Sequence, residues 1–216
     1  MPPGVAVAEE FGPPGDLDML PAEQDVIATA APKRRREFAA VRSCARRALG
    51  DLGVPASAVL PGPSGEPIWP NGVVGSMTHC PDYRACAVGR ASHFAAIGID
   101  AEPHAALPDG VLGMVTSDSE RAALAELAAA APDTSWDRLL FCAKEAVYKA
   151  WFPATGRWLG FSEADVRIER DGTFHARLLV PDPIVGGVEL AGYDGRWQVT
   201  RELITATVVL PVTVGE

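Results

Sequence analysis

The chain has 216 residues, 48% of them hydrophobic, enough for one large domain or two small ones around a shared core. Its net charge of −9 argues against nucleic-acid binding, and no apolar run is long enough to span a bilayer. The opening MPPGVAVAEEFGPPGDLD has acids and prolines where a secretory signal has lysines and then an apolar stretch, so the sequence reads as a cytoplasmic protein with no membrane partner.

Residues 1 to about 22, rich in Gly, Pro and acids, read as a loose leader. Helical spacing runs from Asp25 to Leu49, with Pro32 as an interruption and the firm helix starting near Lys33. Phe38, Val41, Ala45 and Leu49 form its inward face. The segment from Lys33 to Arg47 also holds seven of the nineteen basic residues, a local patch that suits a small polyanion. Arg34 and Arg42 lie eight apart in it, on roughly one side of the helix. A Pro/Gly-rich stretch, VPASAVLPGPSGEPIWPNG, reads as loops. Strand-like runs follow at Val73 to Thr78, Ala85 to Val88 and Phe94 to Ile99.

The second half begins with helices at Ser117 to Ala131 and Trp136 to Trp151. Strands then run Asp165 to Glu169, Phe174 to Val180, Val188 to Tyr193, Trp197 to Leu203 and Thr205 to Leu210, with turns at Arg170-Asp171-Gly172 and Tyr193-Asp194-Gly195. Helix followed by strands, twice, predicts an α+β fold of two similar halves, 1–103 and 104–216, although no internal repeat is visible. Cys44, Cys80, Cys86 and Cys142 match no common zinc or disulfide framework and read as ordinary thiols.

The chemistry gathers at two places. Asp100 and Glu102 are two apart at the end of a strand, so both side chains point to one face. Alone, such a pair reads as solvated capping. A third carboxylate, Glu145, lies on a helix between Lys144 and Lys149. Three converging carboxylates make a hard oxygen site for Mg²⁺, and lysines beside it imply a phosphate substrate. Glu145 and Lys149, at i and i+4, also suit a plain surface ion pair, but Phe141, Val147, Tyr148 and Trp151 predict a mostly buried helix.

G-I-D-A-E-P at 98–103 is similar to the signature (V/I)-G-(V/I)-D-x-E of 4'-phosphopantetheinyl transferases of the Sfp/EntD type. F-C-A-K-E-A-V-Y-K-A at 141–150 resembles the second signature of that family, at the expected distance of about forty residues. Residues 34–46, 69–80 and 149–161 resemble the EntD-like branch of actinobacteria, so the resemblance covers about residues 30 to 165.

The resemblance implies two pseudo-symmetric halves, each a helix with a small antiparallel sheet, and a monomer with coenzyme A and Mg²⁺ in the cleft. It implies transfer of the phosphopantetheine arm to a serine of an apo acyl, peptidyl or aryl carrier protein. Asp100, Glu102 and Glu145 would hold Mg²⁺, and Lys144 and Lys149 would face the pyrophosphate. Glu145 would also take the proton of the serine. Arg34 and Arg42 would grip the 3'-phosphate, helped by Ser76 and His79. Gly65-Glu66-Pro67 departs from the Gly-(Lys/Arg)-Pro that many members carry near adenine. Val111, Leu112 and Met114 are candidates for an apolar landing strip for the carrier helix. A non-catalytic coenzyme A or nucleotide-binding protein would need the arginines without the carboxylates. A metal-dependent phosphohydrolase would need the carboxylates without a 3'-phosphate grip.

Overall fold

The computed structural model describes residues 1–15, 17–182, 184–185 and 187–212. Strand β1 (Val5–Phe11) leads into a short helix, α1 (Pro21–Ile27), and a long one, α2 (Pro32–Asp51). Pro32 is not a break inside a longer helix but the first residue of α2, where its missing N–H costs nothing. A small hairpin of two-residue strands, β2 (Leu60–Pro61) and β3 (Pro67–Ile68), precedes three strands, β4 (Val73–Cys80), β5 (Tyr83–Arg90) and β6 (Phe94–Pro103). Three helices follow: α3 (Val111–Val115), α4 (Asp118–Ala130) and α5 (Trp136–Thr155). The chain ends in β7 (Ala164–Ile168), β8 (Thr173–Leu178), the small pair β9 (Ile184–Val185) and β10 (Val188–Glu189), β11 (Gly192–Val199) and β12 (Leu203–Pro211). No helix among the described residues is long and apolar enough to cross a membrane.

The architecture is α+β with antiparallel sheets. The first sheet has the order β1-β5-β4 and the second β6-β12-β11-β8-β7. Helix α2 packs Cys44, Ala45, Ala48 and Leu49 on one face of the first sheet, against Cys86 and Val88. Helix α5 buries Leu139, Cys142, Ala146, Ala150 and Trp151 against Ala176, Ile204 and Ala206 of the second.

The start of the chain departs from the sequence reading. Val5–Phe11 is no loose leader but an edge strand paired in register with β5, from Val5 opposite Gly89 to Phe11 opposite Tyr83. Buried Arg84 pins it, donating to Glu10 and to the carbonyl of Gly12. The Tyr193-Asp194-Gly195 turn is also absent. These residues run straight through β11, and the reversal comes at 200–202. Gly195 is there for close approach: a Cβ would stand 2.0 Å from the Phe174 ring. Gly172 does turn the chain, with φ at 90°.

Strand β6 joins the two layers. One edge pairs with β12 from Pro103 to Phe94. At the other edge the Ile99 and Ala101 N–H groups donate to Ser76 Oγ and Thr78 Oγ1 of β4, both at 3.1 Å. Ile97, Ile99 and Ala101 pack on Tyr83, Ala85 and Ala87 of the first sheet. Gly98 faces α5, where a Cβ would lie 2.0 Å from the Ala146 carbonyl oxygen and 2.8 Å from the Ala150 nitrogen. Only glycine lets α5 come that close, and the contact brings Glu145 and Lys149 over the end of β6.

Candidate active site

A cleft of about 240 Å³ opens between α2, the β2–β3 hairpin, β4 and α5. Its walls carry Arg34, Arg42, Ser76, His79, Glu145 and Lys149, so the structure gathers most of the residues singled out in the sequence. The two arginines differ in standing. Arg34 is half exposed, 3.9 Å from Glu37. Arg42 is buried, with its guanidinium 3.7 Å over the Phe38 ring and Nε donating to the Val59 carbonyl at 3.2 Å. Burial, opposed by Glu23, lowers its pKa to about 10. His79 lies on β4. Burial and then Arg34 hold its pKa below the ordinary histidine value, while Glu37, 3.9 Å from Nε2, pulls the other way. Glu66 sits in the hairpin wall and accepts from the Ser64 N–H at 2.9 Å, so here it stiffens the turn.

Behind Lys149 and Thr78 of the cleft wall, Asp100 is buried. Its Oδ1 accepts from Lys149 Nζ at 2.7 Å and from the Thr78 hydroxyl at 3.0 Å, while Oδ2 is buried without a partner. Glu102 gives Oε2 to Arg138 at 2.9 Å. The pKa of Glu102 is raised, first by burial and next by the charge of Asp100. Glu145 is raised for the same two reasons, in the same order. Thr78 and Arg138 escaped the sequence reading because their part is to hold other side chains, and no motif spacing marks that.

The three carboxylates feel one another through protein, and Lys149 and Arg138 offset their charge only in part. Among the described residues no group of three His, Cys, Asp or Glu side chains stands close enough together to grip a metal ion as the chains lie here. The donor set nonetheless fits a hard divalent cation: oxygen ligands only, excess negative charge, and a buried carboxylate oxygen with nothing to accept.

Comparison with known proteins gives this geometry its family. The profile for the 4'-phosphopantetheinyl transferase N-terminal domain matches residues 22–89, and that for the 4'-phosphopantetheinyl transferase superfamily matches residues 96–203. The chain is 54% identical to the 4'-phosphopantetheinyl transferase Svp of Streptomyces mobaraensis, over 91% of this chain and 80% of that protein. It belongs to the 4'-phosphopantetheinyl transferase superfamily. It is also 48% identical to the 4'-phosphopantetheinyl transferase PptT of Mycobacterium tuberculosis, over 95% of this chain and 92% of that protein. Likeness to the EntD-like branch is weaker: enterobactin synthase component D of Salmonella typhi is 33% identical over 63% of the chain and 56% of that protein.

Within the transferase, three signature side chains do not line the cleft: Asp100 meets it only through Lys149 and Thr78, Glu102 is tied to Arg138, and Lys144 points away. Lys144 Nζ donates to Glu120 at 2.9 Å and to the Phe161 carbonyl at 2.7 Å, and both ionic partners are buried. Residues five apart on a helix point about 140° away from each other, so Lys144 and Lys149 cannot share a face. Glu120 anchors this corner. It accepts from the Ser117 N–H, completing the cap of α4, and from the Val166 N–H of β7. The cost of burying Lys144 is met by this partner. A second cavity of about 190 Å³ lies beside it, lined by Lys144, Tyr148, Trp158, Leu159 and Phe161, and Glu145 and Tyr148 border both cavities. Of the residues named for carrier docking, Met114 is 72% exposed, whereas Leu112 packs on the core.

The arginines of the transferase call for separate tests. Arg34→Ala is expected to leave the fold alone and to shrink the preference for coenzyme A over dephospho-coenzyme A by about tenfold, the value of one charge-assisted contact. Calorimetry with the two ligands checks this, and equal losses for both would make Arg34 a general attractor. Arg42→Ala should also lower the melting temperature, because it removes a side chain packed on Phe38.

Proposed function

We propose that the chain transfers the 4'-phosphopantetheine arm of coenzyme A to a serine of acyl, peptidyl or aryl carrier proteins. The serine oxygen forms a bond to the β-phosphorus of coenzyme A, the pyrophosphate bridge breaks, and adenosine 3',5'-bisphosphate leaves. The observation that carries the reading is one cleft whose walls gather cationic Arg34, Arg42 and Lys149, with Lys149 paired to buried Asp100. That set of cations suits a ligand that carries both a 3'-phosphate and a scissile pyrophosphate.

Arg34 and Arg42 hold the 3'-phosphate, and Ser76 and His79 border the path of the phosphates. Lys149 neutralises charge on the pyrophosphate as it breaks. Lys144, committed to Glu120 in this structure, has to leave that pair to reach a phosphate. Asp100, Glu102 and Glu145 would hold Mg²⁺, which supplies charge stabilisation on the phosphate oxygens when bound. Glu145 takes the proton of the serine. The second cavity, reached past Glu145 and Tyr148, receives the pantetheine arm along Trp158 and Phe161. A single copy supplies both walls of the cleft, which supports a monomeric enzyme.

The test is to incubate the enzyme with coenzyme A, Mg²⁺ and several apo carrier proteins and to weigh the carriers. The expected gain is about 340 Da, one phosphopantetheine arm, with the nucleophile on the partner. Binding of coenzyme A with no gain on any carrier would leave a binding protein, and release of phosphopantetheine without a carrier would indicate a hydrolase.

A further inference from the structure

Arg138 stands in the first turn of α5, where a cation opposes the helix dipole, so local helix stability does not explain it. Its contacts do. Nη1 donates to Glu102 Oε2 at 2.9 Å, Nη2 to the Ala106 carbonyl at 2.8 Å and Nε to the Ala105 carbonyl at 3.1 Å. The side chain is 15% exposed. Neighbouring groups hold the same loop: Asp137 accepts from the Leu107 N–H at 2.8 Å, and the Ser135 N–H donates to His104 at 3.2 Å. The start of α5 thus grips the segment that leaves β6 just after Glu102.

The pairing follows a pattern. Asp100 has one oxygen tied, by Thr78 and Lys149, and one free. Glu102 has Oε2 tied by Arg138, which leaves Oε1 to point elsewhere. We infer that Arg138 is a positioning residue for the cation site: its guanidinium fixes Glu102 in the orientation that serves the cation, and does so from a seat made by the 105–106 carbonyls. This rests on the cation reading of the three carboxylates given above. Only a planar fork with several N–H directions fills that seat, and lysine, with one compact ammonium, does not.

Charge and position predict opposite signs, which makes the idea testable. A guanidinium acting only as a charge repels the cation, so Arg138→Leu would tighten binding and Arg138→Lys would change nothing. A guanidinium acting as a positioner gives weaker binding in both variants. Mn²⁺ binding to the full-length protein, read by electron paramagnetic resonance, and Mg²⁺ binding, read by calorimetry, measure this without turnover. The expected result is a loss of about tenfold or more in cation affinity for Arg138→Lys and Arg138→Leu, as for other residues that orient metal ligands. In a Glu102→Gln background, Arg138→Lys should then change the affinity by less than about twofold, since the residue acts through Glu102.

Tighter binding in Arg138→Leu overturns the inference, as does wild-type affinity in Arg138→Lys, even with a lowered melting temperature. The Lys variant keeps charge and bulk, so it stands in if the Leu variant does not fold. Absence of Mn²⁺ binding by the wild-type protein would instead remove the cation reading beneath it.

Discussion

Asp100→Asn is expected to reduce transfer at least about hundredfold while the protein still folds. Asparagine is the replacement to use because Asp100 is no exposed carboxylate. It is buried and receives Lys149 and Thr78, so alanine would strand an ammonium and a hydroxyl. The amide keeps an acceptor for both and removes the charge. Two readouts separate loss of chemistry from loss of fold. Mg²⁺ at 100 times its dissociation constant should stabilise the wild-type protein by about 2.7 kcal/mol, seen as a higher melting temperature, and the variant should lose most of that gain. Without Mg²⁺, the variant should melt no lower than the wild type by a wide margin, because removing the Asp100 charge relieves Glu102 and Glu145. An Asn variant that turns over at the wild-type rate and still gains stability from Mg²⁺ would take Asp100 out of the site.

Lys149→Ala should be equally severe for transfer, with a loss of about 10²–10³ in kcat, because its ammonium lies where the pyrophosphate charge develops. The KM for coenzyme A should move much less, since Arg34 and Arg42 supply affinity for bound and reacting ligand alike. Cys142→Ser is the companion control. That thiol is fully buried, its Sγ lies 3.9 Å from the Ile204 carbonyl, and burial raises its pKa well above the ordinary value. The side chain takes no part in the chemistry, so the rate should stay near that of the wild type; a serine hydroxyl, on a shorter bond, falls short of the Ile204 carbonyl, so the melting temperature should drop somewhat. Steady-state kinetics on the three proteins decide the matter. A kcat preserved in Lys149→Ala would mean that the charge of the breaking bridge is met elsewhere.

What could be read from the letters follows from which forces act locally. The long helix α2 and its inward face were legible because the apolar spacing of Phe38, Val41, Ala45 and Leu49 is a local signal. The signatures around Asp100 and Lys149 were legible as a family resemblance, and the structure gives Gly98 its part in them: it admits the backbone of α5. Strand β1 was missed although VAVAEEF alternates in part, since its pairing with β5 and the clamp from Arg84 lie more than seventy residues away in sequence. Gly195 was misread as a turn because a glycine that makes room for Phe174 looks the same in sequence as one that bends the chain. The direction of Lys144 depended on Glu120, a partner 24 residues away on another helix.

Strand β6 has a consequence for how ligand enters. It is bonded to β12 along one edge and to Ser76 and Thr78 along the other, and its two faces are taken by α5 and by the first sheet. The wall that carries the arginines and the wall that carries Lys149 are therefore fastened to one rod. A jaw-like closing would have to break buried hydrogen bonds and slide two apolar layers at once. Coenzyme A then meets two walls already in place, and only side chains such as Lys144 have to move. Its association should show a single kinetic phase whose rate rises linearly with ligand concentration, slowed by salt through the cationic side chains of the cleft and with no plateau from a slow closing step.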